Sequence, residues 1–186
     1  RGDLTTQFDE NNQIKAGFQF TYDDLDINSG TYSPSMSTWT RSMIYHVYPY
    51  RIGAFVQDKL EFEGFIANLG VRFDYSNPNG EYYSLSTYDA LYGQGLGKSL
   101  EQNAPRERAE SQVYVSPRIG ISHPITENSK LYFNYGHFVS APSSSMRFRL
   151  QRESNGLVTY MGNPNMELEK TISYELGFAQ NVMDMF

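Results

Sequence analysis

The stretch IGAFVQDKLEFEGFIANLGVRFDY, residues 52–75, decides the fold. Its apolar residues recur at every second position. Ile52, Ala54, Val56, Leu60 and Phe62 oppose Arg51, Gly53, Gln57, Lys59 and Glu61, while Phe65, Ala67, Leu69, Val71, Phe73 and Tyr75 oppose Asn68, Gly70, Arg72 and Asp74. A period of two sends successive side chains to opposite faces of a strand. Only Glu63 and Gly64 separate the two runs, a connection in which glycine supplies the positive φ of a tight hairpin turn. Pairing Phe62 with Phe65 then fixes the register: Leu60 faces Ala67, Val56 faces Val71, Ala54 faces Phe73 and Ile52 faces Tyr75. Asp58 is the exception. It falls beside Leu69 on the apolar face, where a local bulge or a position near a membrane surface would relieve it.

The same alternation recurs on both sides of this hairpin. Ile14, Ala16, Phe18, Phe20 and Tyr22 share a face, as do Val113, Val115, Ile119 and Ile121, then Leu131, Phe133 and Tyr135, and finally Ile172, Tyr174, Leu176 and Phe178. The connections differ in length by turns. Asp9 to Asn12, Glu63-Gly64 and Pro124 to Ser129 are short, whereas Asp24 to Ser42, Ser76 to Glu110 and Ser140 to Lys170 are long and polar. In an up-and-down sheet alternate connections lie at the same end. The long ones therefore gather at one rim and the short ones at the other, the asymmetry of an outer-membrane barrel with short periplasmic turns and long extracellular loops.

Composition points the same way. Tyr 15, Phe 12 and 15% aromatic residues accompany a hydrophobic share of only 39% and a mean hydropathy of -0.54, which suits a wall that is apolar on one face alone. No run approaches the roughly 18 apolar residues of a membrane-spanning helix. A net charge of -6 without a basic stripe argues against a nucleic-acid partner. The absence of cysteine excludes a disulfide framework and thiolate metal sites. The expected fold is all-β: an antiparallel transmembrane β-barrel segment of about seven meandering strands, each near the roughly 9–11 residues that cross hydrocarbon. Seven strands leave edges that lipid cannot satisfy, so residues 1–186 read as a partial β-barrel domain whose remaining strands lie outside the sequence. The absence of an export signal at Arg1 to Thr6 fits a fragment as well.

Several segments then resemble one family. The run from Tyr48-Pro49-Tyr50 to Gln57-Asp58-Lys59-Leu60, followed by Gly70-Val71-Arg72-Phe73-Asp74-Tyr75, resembles the barrel hairpin of TonB-dependent receptors, with its "QDK" strand and "GxRxDY" strand. Ser116-Pro117-Arg118-Ile119-Gly120-Ile121-Ser122 is similar to the family's "SPRxGxS" strand, and Leu131 to Phe138 to the strand after it. Gly162-Asn163-Pro164, Glu169-Lys170-Thr171 and Tyr174-Glu175-Leu176-Gly177 resemble "GNPxLxPEKTxxYElG". The order matches, over most of the chain outside its loops. The resemblance implies a barrel of about 22 strands, closed by an N-terminal plug absent from this sequence. It implies active import of a scarce ligand across the Gram-negative outer membrane, driven through the TonB complex by the inner-membrane proton gradient. Outer-membrane lipid, TonB, the imported ligand and a surface lipoprotein are the partners to expect. Phe186 is similar to a terminal assembly aromatic, but Asp184 and Gln180 stand where that signal is apolar, which favours truncation.

Individual residues follow from the barrel reading. Ile52, Val56, Phe65, Leu69, Val71, Phe73, Ile172, Tyr174 and Leu176 are expected towards lipid. Arg51, Lys59, Asn68, Arg72, Asp74, Arg118 and Glu175 are expected towards the lumen, paired with one another or with the plug. Arg147, Arg149 and Arg152 lie in a long loop, and the first two share a side if it is extended. Guanidinium forks suit anionic or carbohydrate-hydroxyl ligands, although solvated charge is the blander reading. Gly93 to Ser99 ends like a phosphate-binding loop, but Tyr92 stands where the first glycine belongs and no strand leads into a helix there. Arg1-Gly2-Asp3 reads as a strand end. His46, His123 and His137 lack zinc spacing, and Asp23, Asp24 and Asp26 lack the glycine and glutamate of a calcium loop, so no metal and no cofactor is expected. No catalytic constellation emerges, and the chain is not expected to be an enzyme. Two further functions fit the strands, a passive or adhesive outer-membrane barrel and a soluble β-sandwich carbohydrate-binding module.

Overall fold

The computed structural model describes residues 1–34, 38–85, 100–152 and 158–181. In chain order the elements are β1 (Gly2–Gln7), β2 (Asn12–Tyr22), β3 (Leu25–Ser33), β4 (Thr38–Val47), β5 (Tyr50–Phe62), β6 (Phe65–Asn77), β7 (Glu81–Tyr83), α1 (Leu100–Asn103), β8 (Arg106–Arg108), β9 (Gln112–Thr126), β10 (Ser129–Ser140), α2 (Ser144–Phe148), β11 (Leu150–Arg152), β12 (Val158–Met161) and β13 (Glu169–Gln180). Seven of these form one antiparallel sheet in the order β1-β2-β5-β6-β9-β10-β13, which does not close. The other strands pair two by two within the long connections: β3 with β4, β7 with β8, and β11 with β12.

The β5–β6 hairpin has the register its sequence predicts, from Phe62↔Phe65 to Ile52↔Tyr75. Gly64 turns it with φ 76°. No bulge relieves Asp58. It pairs directly with Leu69 and, across β2, with Ile14, and one of its carboxylate oxygens is buried without a partner. Asp9 organises the β1–β2 turn by accepting from the backbone N–H groups of Asn11 and Asn12 at 2.8 Å, the local side-chain turn to which aspartate is suited. Those bonds, Asn11's first, hold its carboxyl below the usual carboxylate value.

Proline shapes the β9–β10 ladder at two points by lacking an N–H. Pairing of β9 with β10 ends at Gly136↔Arg118, one residue short of Pro117, and the register shifts near Pro124. The stretches that read as polar loops between Asp24 and Ser42 and between Ser140 and Lys170 prove to contain ribbons. β11 and β12 are too short for periodicity to reveal, and β3 and β4, though nine and ten residues long, are too polar.

The sheet has one apolar and one polar face. Tyr174, Leu176 and Ile172 are 79%, 71% and 61% exposed, and Val56, Phe65, Leu69, Val71 and Phe73 are exposed beside them. Among the described residues the buried apolar side chains, prolines apart, are only Ala67, Leu100, Val158 and Leu168. A sandwich would bury this face beneath a second sheet; here none of the described strands lies over it. On the polar face, side chains lie on glycines of neighbouring strands. A β-carbon on Gly17 would stand 2.3 Å from the Phe55 ring, and one on Gly177 would stand 2.2 Å from the Tyr132 ring. Each glycine is directly paired with the residue that covers it. Only a residue without a side chain permits so close an approach.

Candidate functional site: a polar sheet face beneath a layer of ribbons

Arg51, Lys59, Asn68, Arg72, Asp74, Arg118 and Glu175 all fall on the polar face, because each stands out of phase with the apolar positions of its strand. Lys59, Asn68, Gly120, Asn134 and Glu175 make one continuous row across four strand pairings. Asn134 and Tyr132 each donate to Glu175 at 3.3 Å, and Gln57 donates to Asn68 at 3.3 Å. Arg72 is bonded to Asp74 at 2.7 to 2.9 Å, Arg51 lies 3.7 Å from Asp23, and Lys59 pairs with Glu61. The Arg118 guanidinium lies 4.7 Å over the Phe138 ring. An open depression of about 470 Å³ follows this row and includes Gln57, Asn68, Arg118 and Glu175.

At the end remote from the Glu63-Gly64 turn the described parts of the segment from Ala141 to Leu168 fold back towards the sheet. Ala141 and Leu168 share a cleft with Arg51, Arg72 and Asp74 of the polar face. Ser143 caps α2, its hydroxyl accepting from the N–H of Met146 at 3.4 Å, as serine at an N-cap does. The helix carries Arg147 inward, where it is only 4% exposed. Its Nε and Nη2 donate to the carbonyl of Pro164 at 3.3 and 3.1 Å. A β-carbon on Gly162 would meet the Arg147 carbonyl carbon at 2.7 Å, so this strap requires glycine. Gln112 at the start of β9 fastens the strap: it donates to the carbonyls of Asn165 and Met166 at 3.2 and 3.1 Å and accepts from the N–H of Leu168 at 3.2 Å.

Arg147 and Arg149 do not share the side of an extended loop, since the first is helical and the second caps that helix. Nor is Arg147 a solvated charge. Burial, and after it the neighbouring Arg51, pull its guanidinium below the usual arginine value, though arginine stays cationic in proteins. Arg149 donates through Nη2 to Gln151, lies 5.3 Å over the Tyr160 ring, and keeps a buried Nε without an acceptor. Arg152 lies in β11 with its side chain half-buried. Serine at 143, before a short helical run, was the signal that could have placed Arg147 on a helix; its carbonyl partner, 17 residues on, has no local signature.

The model of the family described as TonB dependent receptor-like, beta-barrel matches residues 1–184. The chain belongs to that family. Its proteins are transporters and receptors of the Gram-negative outer membrane that work with TonB. None of the curated proteins matches the sequence. Among solved structures, a double mutant of the Serratia marcescens hemophore receptor HasR in complex with its hemophore HasA and heme is similar over 99% of this chain and 29% of that one, with a TM-score of 0.61 and 16% identity. The copper transporter OprC is similar over 97% of this chain and 27% of that one, with a TM-score of 0.60 and 17% identity. The chain thus spans less than a third of either protein, and what it shares with them is the fold.

As a TonB-dependent receptor barrel segment, the sheet carries an aromatic belt that alternation alone did not single out. Tyr22 stacks on Tyr48 with centroids 6.1 Å apart, and Tyr50 lies 6.0 Å from Tyr75 and 6.5 Å from Phe20. Phe62 and Phe65 mark the opposite end. His137 accepts or donates a 2.6 Å bond with the hydroxyl of Tyr135 on the same strand, His123 bonds the carbonyl of Gly64, and His46 bonds Asp24 at 2.9 Å. Among the described residues no three acidic or histidine side chains gather as metal ligands. Asp3, in β1, binds Arg1 at 2.9 Å, in keeping with a strand end. Gly93 to Ser99, Asp184 and Phe186 lie outside the described residues.

Proposed function

We propose that this chain is part of the wall of an outer-membrane TonB-dependent transporter that imports a scarce ligand. The observation carrying the proposal is an apolar sheet face that none of the described residues covers, in a protein whose family inhabits the outer membrane. Ile52, Val56, Phe65, Leu69, Val71, Phe73, Ile172, Tyr174 and Leu176 face lipid in this reading. From Tyr50 to Phe62, the ends of β5, is about 40 Å along the strand at roughly 3.3 Å per residue. A tilt of about 40° reduces that to roughly 30 Å between the two aromatic levels, close to the height of a barrel's lipid-facing band.

Arg51, Lys59, Asn68, Arg72, Asp74, Arg118 and Glu175 then line the lumen. Their mutual pairs leave open polar depressions against which a plug can pack, and residues 1–186 act with a plug and further strands of the whole transporter. TonB engages that plug. The ribbons form the extracellular mouth with Arg147, Arg149 and Arg152, and a surface lipoprotein is a candidate partner above them.

The test compares uptake by cells carrying the full-length protein with and without TonB. Loss of uptake and of growth on the limiting ligand when TonB is removed supports the proposal. Uptake that persists unchanged favours a passive or adhesive barrel, the reading that the strands and long connections also allow.

A further inference from the structure

Arg147 and Arg149 stand out among the charges of the mouth because neither has a counter-ion among the described residues. Among the described residues no carboxylate lies within 4.0 Å of either guanidinium. Proteins seldom bury a charge without pairing it. Yet Arg147 is almost wholly buried, and Arg51, another cation, disfavours its charge further. An arginine offers five N–H donors; the Pro164 carbonyl takes two of Arg147's, while Arg149 gives one to Gln151 and holds its buried Nε unpaired.

Both side chains line one cleft of about 330 Å³ between β4, β7, α2 and β12. That volume is within the range of small-molecule sites. Its walls are aromatic. Tyr45 packs on Phe148 with centroids 6.0 Å apart, and Tyr82 and Tyr83 stand across the cleft. Glu81 and His46 also line it, both as exposed residues, so the negative charge of Glu81 faces solvent while the two cations lie deeper. Unused, forked donors on a buried and a half-buried cation form the arrangement that carboxylate or phosphate oxygens complete.

We infer that the Arg147–Arg149 cleft binds an oxyanion, a carboxylate or a phosphate, carried by a small ligand whose flat body packs on Tyr45 and Phe148. The inference deepens the importer reading and rests on it for its physiological role.

The test uses the full-length protein in detergent micelles without TonB, titrated calorimetrically with inorganic phosphate, with citrate and with glycerol as the neutral probe. At least one anion should bind saturably while glycerol does not, and which anion binds separates phosphate from carboxylate. Arg149→Gln should weaken that binding roughly tenfold or more, as loss of a charged hydrogen-bond donor does. Arg147→Met should weaken it further, and Arg108→Gln, on the exposed β8, should leave it unchanged. Folding of each variant is read from heat-dependent migration on gels, and Arg149→Gln carries the test if Arg147→Met does not fold. No saturable binding of either anion, or equal binding by Arg149→Gln and Arg108→Gln, overturns the site. A protein that requires TonB for uptake yet ignores both anions refutes the site alone; one that binds them yet imports without TonB refutes the importer reading alone.

Discussion

The seven-stranded wall and the layer of ribbons above it are held by different means. In the wall, each strand is fixed along its whole length by main-chain ladders, such as β5–β6 with its unbroken register from Phe62↔Phe65 to Tyr50↔Asn77. In the ribbon layer, a few side chains pin backbone to backbone: Arg147 to Pro164, Gln112 to Asn165 and Met166. Losing one pin frees a segment, whereas losing one ladder bond leaves many others. A barrel can therefore keep a rigid wall and vary its mouth, where binding residues belong.

Val71→Arg should break the wall most severely. Val71 lies mid-strand on the apolar face between Val56 and Pro117, and arginine at mid-bilayer costs a barrel about 2–4 kcal/mol. Urea unfolding in lipid vesicles measures it, and a change well below that range would mean that this face does not meet lipid. Gly162→Val tests the converse. Its new side chain meets the Arg147 backbone, and overpacking costs about 1–3 kcal/mol. Limited proteolysis should cut the strap between Ala141 and Leu168 faster while the wall's unfolding midpoint stays fixed; a shifted midpoint would show the regions to be coupled.

Gln112→Ala should loosen the same strap less. It removes three hydrogen bonds to the strap and one from Tyr114, worth about 1 kcal/mol each at most, and faster amide exchange at Leu168 is the readout. The smallest effect concerns Asp9. Because its carboxyl is held below its unfolded value by the turn, its contribution is present above that unfolded value and fades as pH falls through the folded one. Resonance shifts of Asn11 and Asn12 should follow this acidic transition and lose it in Asp9→Asn.

Much of the wall was legible in the sequence, because one period of two decides both the face and the partner of every residue. Phe62, Gly64 and Phe65 sufficed to predict a register of thirteen pairs. Asp58 was legible as an exception but not its outcome, since whether a strand bulges or accepts a misplaced carboxylate depends on both neighbouring strands. In the sequence the ribbon layer reads as loop, and Arg147 as loop charge. Its burial depends on Pro164 and Gly162, contacts made only once the chain has turned back on itself, and no local pattern encodes them.

The two covered glycines have a consequence for the size of the whole barrel. Phe55 on Gly17 and Tyr132 on Gly177 fit at one offset between strands; sliding either strand by two residues would set the ring against a residue with a side chain. Each pair therefore acts as a key that admits a single alignment. In a closed barrel such offsets add around the circumference to the shear number, which with the strand count determines tilt and radius. Exchanging the glycine and its ring between partners, Gly17→Phe with Phe55→Gly, would preserve the key, whereas altering one alone would press upon the diameter of the channel.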